Sequence, residues 1–526
     1  MSINVEMHLN DPAMCKLIGV PEPKKEHGNI FYKATELEKA GKHKEAHDIY
    51  VEILNNDFDN SVVCAALGMN LAVQGQNGLA HVLLMRSLDN VDKMKDDFAK
   101  VGILAKENKP EQLVEFYKVK KAEIMNAIGT CWKHENKCDK ARYWFERAQS
   151  IVPPNADIQN NLATLYINEG EPERALTYLE TALKLMPDHA QAHWNRALSN
   201  LELGNYEAGF KEYNWGQRAD VRMNRIYTAN RDLPEWDGSP DKTVVVYGEQ
   251  GIGDEIMFAS LIPEMIRDCK QVVFDCHKKL HVLFCNSFPT IDIYPTREDE
   301  KITWPFTSSA VQRYPFDAKI AIGDVPKFYR RSLEDFPGTP YIQPTATGEK
   351  RWQDKLATLP AKPKIGIAWI GGHKKTRVEV RSLRLEQLLP ILSLDANFIS
   401  LQYTKCEDEI RAFELAHPDI KIHHWPEANY SENYDDQAGL VANLDLVICC
   451  CTSLVHLAGS MGVPTWVLTP SRPAWRYRLD LDYMPWYGRT VTLFRQLPRT
   501  VEWEPVVEEV RGNLVELLGA THENHS

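Results

Sequence analysis

Residues 243–275 read TVVVYGEQGIGDEIMFASLIPEMIRDCKQVVFD. The run from Thr243 to Tyr247 is short, apolar and rich in β-branched residues, the mark of a strand buried on both faces. Gly248-x-x-Gly251-x-Gly253-Asp254 then turns the chain, Glu255 to Arg267 reads as helix, and Gln271 to Asp275 is the next strand. Strand, glycine loop, helix and strand in that order open a doubly wound parallel sheet, whose ligands sit at the carboxyl ends of the strands. Gly251 and Gly253 let backbone N–H groups approach such a ligand. Asp254 has two readings, a helix cap or a carboxylate at the mouth of the crevice. Ile256 stands where a dinucleotide fingerprint needs glycine or alanine, which disfavours a nicotinamide-dependent oxidoreductase.

The pattern restarts downstream. KIGIAW (364–369) is a strand followed by Gly371 and Gly372, and further strands are expected at 397–402, 421–424, 445–449 and 464–468. A helix is expected over 435–443. Between the last two strands lies CCCTSLVHLAGSMGVP (449–464), in which a helix starts at Thr452 and Ser453. Free N–H groups and hydroxyls at such a start make an anion site. His456 reads either as a further ligand to that anion or as a packed helix residue. The first strand is followed by a basic run with Lys374, Lys375, Arg377 and Arg381, which reads either as a solvated loop or as a phosphate-binding edge. Arg472, Trp475, Arg476 and Arg478 form a related cluster. Two such sheets in tandem create a cleft.

Upstream, a different rule applies. A turn residue followed five positions later by a small residue recurs at Gly41/Ala46, Gly75/Ala80, Asn136/Ala141, Gly170/Ala175 and Gly204/Gly209. Within 41–75 and within 136–170–204 the step is 34, the period of tetratricopeptide helix pairs. The step from Gly75 to Asn136 is 61, so an irregular insert is expected over about 91–122. The expected layout is an N-terminal extension (1–27), a solenoid (28–232), a first Rossmann-like lobe (240–345) and a second (362–515). The solenoid reads either as a binding surface for an acceptor or partner, or as a spacer or dimerisation element.

Composition limits the function. The chain has 526 residues, a formal net charge of -12, 44% hydrophobic and 25% charged residues. The acidic balance disfavours general nucleic-acid binding and a nucleic-acid acceptor. Eleven cysteines without disulfide-like spacing, and an N-terminus with no signal-like region, point to a cytoplasmic setting. No apolar run has the length of a membrane span. Cys269, Cys276, His277, His281 and Cys285 lie close in sequence but form no CxxC pair, so no metal site is expected.

The segments PEWDGSP (234–240), YGEQGIGDEIMFASLIP (247–263), IGIAWIGG (365–372), RSL (381–383), ISLQ (399–402), LVANLDLVI (440–448), HLAGSMGVPTWVL (456–468) and PWYGRTVTLFRQ (485–496) occur in an order that resembles tetratricopeptide-repeat glycosyltransferases with a heptosyltransferase-like catalytic half. The resemblance implies a GT-B fold and transfer from a nucleotide-diphosphate sugar, inverting and without a required metal or other cofactor. It implies Asp254 as general base. It places the diphosphate near Thr452, Ser453 and His456; the pocket for the nucleotide base is expected near Gln402 to Cys406. A protein or glycan acceptor would use the repeat groove, and homo-oligomerisation stays open. Cys451 departs from the family, which usually has an acidic residue before this threonine. That departure supports the alternative of a repeat scaffold with a degenerate catalytic half.

Overall fold

The computed structural model describes residues 28–93, 110–224, 233–297, 316–372, 378–498 and 500–523. It divides into two compact units, 1–195 and 196–526, and the division falls inside helix Ala190–Glu202.

In the first unit helices pair as Gly28–Lys39 with His43–Asn56, Ser61–Val73 with Asn77–Asp89, Pro110–His134 with Cys138–Ile151, and Ala156–Glu169 with Pro172–Leu185. The turn between each pair carries the predicted residue in the left-handed region: Gly41, Gly75, Asn136 and Gly170 have φ of 73, 78, 58 and 69°. Glycine adopts that region without strain, and asparagine is the side chain that tolerates it best. Each turn closes with the same bond, from the residue after the turn back to the helix: Lys42 N–H to Leu37 O, Gln76 to Leu71, Lys137 to Trp132 and Glu171 to Tyr166, at 2.8–3.0 Å. This bond satisfies a carbonyl the ending helix would leave open. The small residues Ala46, Ala80, Ala141 and Ala175 are fully buried where the two helices meet. The expected irregular insert is partly ordinary helix, since 110–122 belongs to the 25-residue helix Pro110–His134. The remainder, 94–109, lies outside the described residues.

The second unit begins with the end of helix Ala190–Glu202 and the helix Tyr206–Glu212, joined through Gly204 at φ 79°. Two parallel sheets follow. The first holds β1 (Thr243–Tyr247), β2 (Gln271–Asp275), β3 (Asp292–Tyr294) and β4 (Ala318–Ala321), in the order β3-β2-β1-β4. The second holds β5 (Lys364–Ala368), β6 (Asn397–Ser400), β7 (Ile422–His424), β8 (Leu446–Cys450), β9 (Thr465–Thr469), β10 (Tyr483–Met484) and β11 (Gly488–Arg495), in the order β10-β11-β9-β8-β5-β6-β7. Among the described residues only the β10–β11 pair is antiparallel. Both sheets wind outward from their first strand in two directions, so each has a switch point: β1/β4 in the first and β5/β8 in the second. The fold is a helical repeat array followed by two doubly wound lobes, the GT-B arrangement expected from the sequence. The glycine loop after β1 and the helix start after β8 both open at switch points, where α/β sheets bind ligands. The C-terminal helix Glu504–Glu523 packs Val506, Val507, Val510, Leu514 and Leu518 into the core of the second lobe.

Candidate active site

The glycine loop owes its shape to buried side chains beneath it. Glu255 turns back under the loop, where its Oε1 accepts from His277 N–H at 2.7 Å and its Oε2 from Arg297 Nη1 at 3.1 Å. A Cβ on Gly248 would stand 2.0 Å from Oε2, so any side chain there would displace the buried Glu255 carboxylate. Arg297 also donates to Gln250 O. Burial pushes the Glu255 carboxyl up to about 7, against the opposing pull of Arg297.

A second support comes from the start of the unit. Arg222 donates through Nη1 to Asp324 Oδ1 (2.7 Å) and Tyr213 O (2.6 Å), and through Nη2 to Glu249 Oε1 (2.9 Å). All three charged side chains are at most 3% exposed. Tyr213 exchanges hydrogen bonds with Gln250, whose Nε2 donates to its Oη at 2.9 Å. Glu249 and Gln250, the two residues before Gly251, are thus held by residues of the segment 213–222. Sequence reading missed this support, because Arg222, Glu249 and Asp324 share no spacing.

Asp254 is not the helix cap. Gly251 holds the cap position of helix Ile252–Phe258, with no side-chain cap bond, and Asp254 is the third helical residue. Its carboxylate turns to the second lobe and pairs with Arg476 Nη2. The two side chains are 19% and 14% exposed. Burial works against the Arg476 charge, but Asp254, together with Tyr477, Tyr213 and Cys451, more than offsets it and the guanidinium stays protonated. Arg476 sits in the short helical turn Trp475–Tyr477. Trp475 anchors that turn in an aromatic cluster with Phe210 and Tyr213, each at 5.9 Å between ring centroids.

The lobes touch at Gly253. A Cβ there would stand 3.1 Å from Ser453 Cα and 2.8 Å from His456 Cδ2. The first turn of helix Ser453–Ser460 therefore packs directly on the glycine loop. Thr452 caps this helix, its hydroxyl accepting from Leu454 N–H at 3.2 Å. The Ser453 hydroxyl bonds Tyr434 Oη at 2.6 Å. His456 Nδ1 lies 3.0 Å from Tyr487 Oη. Burial, and then Arg476, hold its imidazole well below the ordinary range, so it is neutral and brings no positive charge.

Cys451 is 2% exposed. Burial pushes its thiol up to about 11, against Arg381, a hydrogen bond with Tyr477, Arg495 and Arg476. Three guanidinium groups thus act on the position where the resembled family carries an acid. A neutral side chain there leaves the helix start more positive than an acidic one would. Gly371 lies against this point as well, since a Cβ on it would stand 3.0 Å from Cys450 Sγ and Cys451 O.

Of the remaining expected site residues, Arg381 ends helix Val378–Arg381, and its charge acts on Cys451 beside the helix start. Lys374, Lys375 and Arg377 lie outside the described residues. Gln402 is fully buried, and its Oε1 accepts from Trp369 N–H (3.2 Å) and Ile370 N–H (3.0 Å). It braces the loop after β5 through its amide. Among the described residues no group of three His, Cys, Asp or Glu is placed to hold a metal ion. Likewise no helix is long and apolar enough to cross a membrane.

Residues 160–214 match a tetratricopeptide-repeat family model. Over 377 residues the chain is 27% identical to Protein FlbA of Caulobacter vibrioides, covering 61% of this chain. The chain spans 60% of the length of that relative. Among solved structures it is similar to the E. coli ADP-heptose lps heptosyltransferase II, at 12% identity and a TM-score of 0.38, covering 52% of this chain and 99% of the other. A family 9 glycosyltransferase from Veillonella parvula matches at 12% identity and a TM-score of 0.38, covering 54% and 98%. Pseudomonas aeruginosa pilF matches at 14% identity and a TM-score of 0.27, covering 36% and 74%.

Proposed function

We propose that the protein is a glycosyltransferase that moves a sugar from a nucleotide-diphosphate donor to an acceptor hydroxyl, with inversion and without a required metal ion. The observation that carries this reading is the meeting, at two switch points, of the Asp254 carboxylate from one lobe with Arg476 and the start of helix Ser453–Ser460 from the other. In the proposed reaction the acceptor oxygen attacks the anomeric carbon and gives its proton to Asp254. The bond from that carbon to the donor phosphate breaks, and its electron pair leaves with the nucleoside diphosphate. Arg381, Arg476 and the N–H groups at Ser453 would stabilise the charge that gathers on the phosphate, with Lys374, Lys375 or Arg377 as further candidates. The repeats would present a protein or glycan acceptor, in the cytoplasm.

The test is transfer or hydrolysis of a panel of nucleotide sugars by wild type and Asp254→Ala. We expect a loss of about 10²–10⁴-fold, the range for removal of a general base. Unchanged turnover would remove Asp254 from that role.

One observation favours a second reading, a scaffold whose catalytic half is degenerate: Cys451 in place of an acid. Calorimetric titration with nucleoside diphosphates separates the two, because a scaffold of this kind binds none.

A further inference from the structure

We infer that Arg476 has two alternative partners, Asp254 in the donor-free protein and the donor diphosphate once it arrives, so that donor binding releases the base. The inference rests on the glycosyltransferase reading and adds a control to the same site.

Four observations carry it. Asp254 is already engaged: its Oδ1 is bonded by Arg476 Nη2 across the two lobes. A carboxylate oxygen that already accepts from a guanidinium is occupied, and an acceptor hydroxyl would have to displace that donor to reach it. Arg476 has a donor to spare for a second partner, since its Nε is buried with no hydrogen-bond partner among the described residues. Its charge also acts on Cys451 and His456, on either side of the helix start, so the guanidinium that holds Asp254 is also close to the expected phosphate position. Finally, its neighbours Trp475 and Tyr477 are buried, which fixes the backbone and leaves the exchange to the side chain alone. A phosphate offers a guanidinium two parallel charge-assisted bonds and competes well with one carboxylate oxygen. The acceptor's base would then become available only when the donor is in place.

The inference predicts non-additive binding. UDP, GDP, ADP, CDP and dTDP are titrated into the full-length chain, as wild type, Asp254→Asn, Arg476→Gln and the double variant. Thermal melting checks that each variant is folded, and Arg476→Lys serves if Arg476→Gln is not. For the diphosphate that binds wild type, Arg476→Gln should weaken binding about tenfold. Asp254→Asn should tighten it about fivefold, because Arg476 no longer has to leave a carboxylate. In the Arg476→Gln background that gain should vanish. Binding to Asp254→Asn no tighter than to wild type overturns the inference and leaves the glycosyltransferase reading standing. So does a gain that persists in full without Arg476, since the carboxylate then acts by plain repulsion. Binding of no diphosphate to wild type overturns the donor reading itself, and the inference with it.

Discussion

Glycine serves the repeat array and the α/β unit for opposite reasons. In the array, Gly41 and Gly75 take left-handed backbone at φ 73 and 78°, and an added Cβ would meet nothing within 4 Å. There the requirement is conformational and local. In the loop after β1, Gly248 and Gly253 lie outside the left-handed region. A Cβ on Gly248 would strike the Glu255 side chain, and one on Gly253 the Ser453 backbone and the His456 ring, neighbours supplied by the fold. The same contrast holds for polar groups. The array bonds asparagines of successive repeats, 35 positions apart, Asn161 to Asn126 at 3.0 Å and Asn195 to Asn160 at 2.8 Å. The α/β unit bonds Arg222 to Asp324 across 102 positions and Asp254 to Arg476 across 222. A repeat can therefore be damaged one turn at a time, whereas the glycine loop depends on distant residues all being in place.

Arg222→Ala should test that dependence most severely. It leaves the carboxylates of Glu249 and Asp324 buried without their cation, at a cost of about 3–5 kcal/mol. Urea unfolding should show the loss in the α/β transition, and a loss below about 1 kcal/mol would mean that the three charges are not mutually dependent.

Glu255 adds a pH dependence to the same loop. Its carboxyl is near 7 in the folded protein and 4.5 unfolded, so the folded state binds the proton more tightly. The stability it contributes is full below 4.5 and is lost as pH rises through about 7, on the order of 3 kcal/mol in all. Denaturation of wild type against Glu255→Gln between pH 4.5 and 7 should show the wild type losing stability with rising pH relative to the variant. Parallel curves would contradict the assignment.

Gly253→Ala should cost about 1–3 kcal/mol, because the new methyl must push Ser453 and His456 away. Diphosphate binding should fall with it, whereas a purely conformational glycine would change stability alone. Gly41→Ala should cost about 1–2 kcal/mol from backbone strain, in the array's unfolding transition, with diphosphate binding unchanged. Asn136→Gly, at φ 58°, relieves the same strain and should be neutral to stabilising by less than about 1 kcal/mol. Equal effects from the array and loop substitutions on diphosphate binding would erase the contrast.

The sequence by itself determined the repeat turns, since the period of 34 picked out Gly41, Gly75, Asn136, Gly170 and Gly204, and all five are left-handed. It also determined the run of strands from β1 to β9 apart from β3 and β4, and the placing of Asp254 and Thr452 at helix starts. These features depend on chemistry within a few residues, which spacing reports. Only the tertiary structure decided that Gly251 and not Asp254 is the cap, that Gln402 braces the loop after β5, that Arg476 pairs with Asp254, and that Arg222, Arg297 and Arg495 join it. The physical reason is range. A buried charge is stabilised by whatever the fold brings within hydrogen-bonding distance, and separations of 102 or 222 residues leave no periodic trace in the chain.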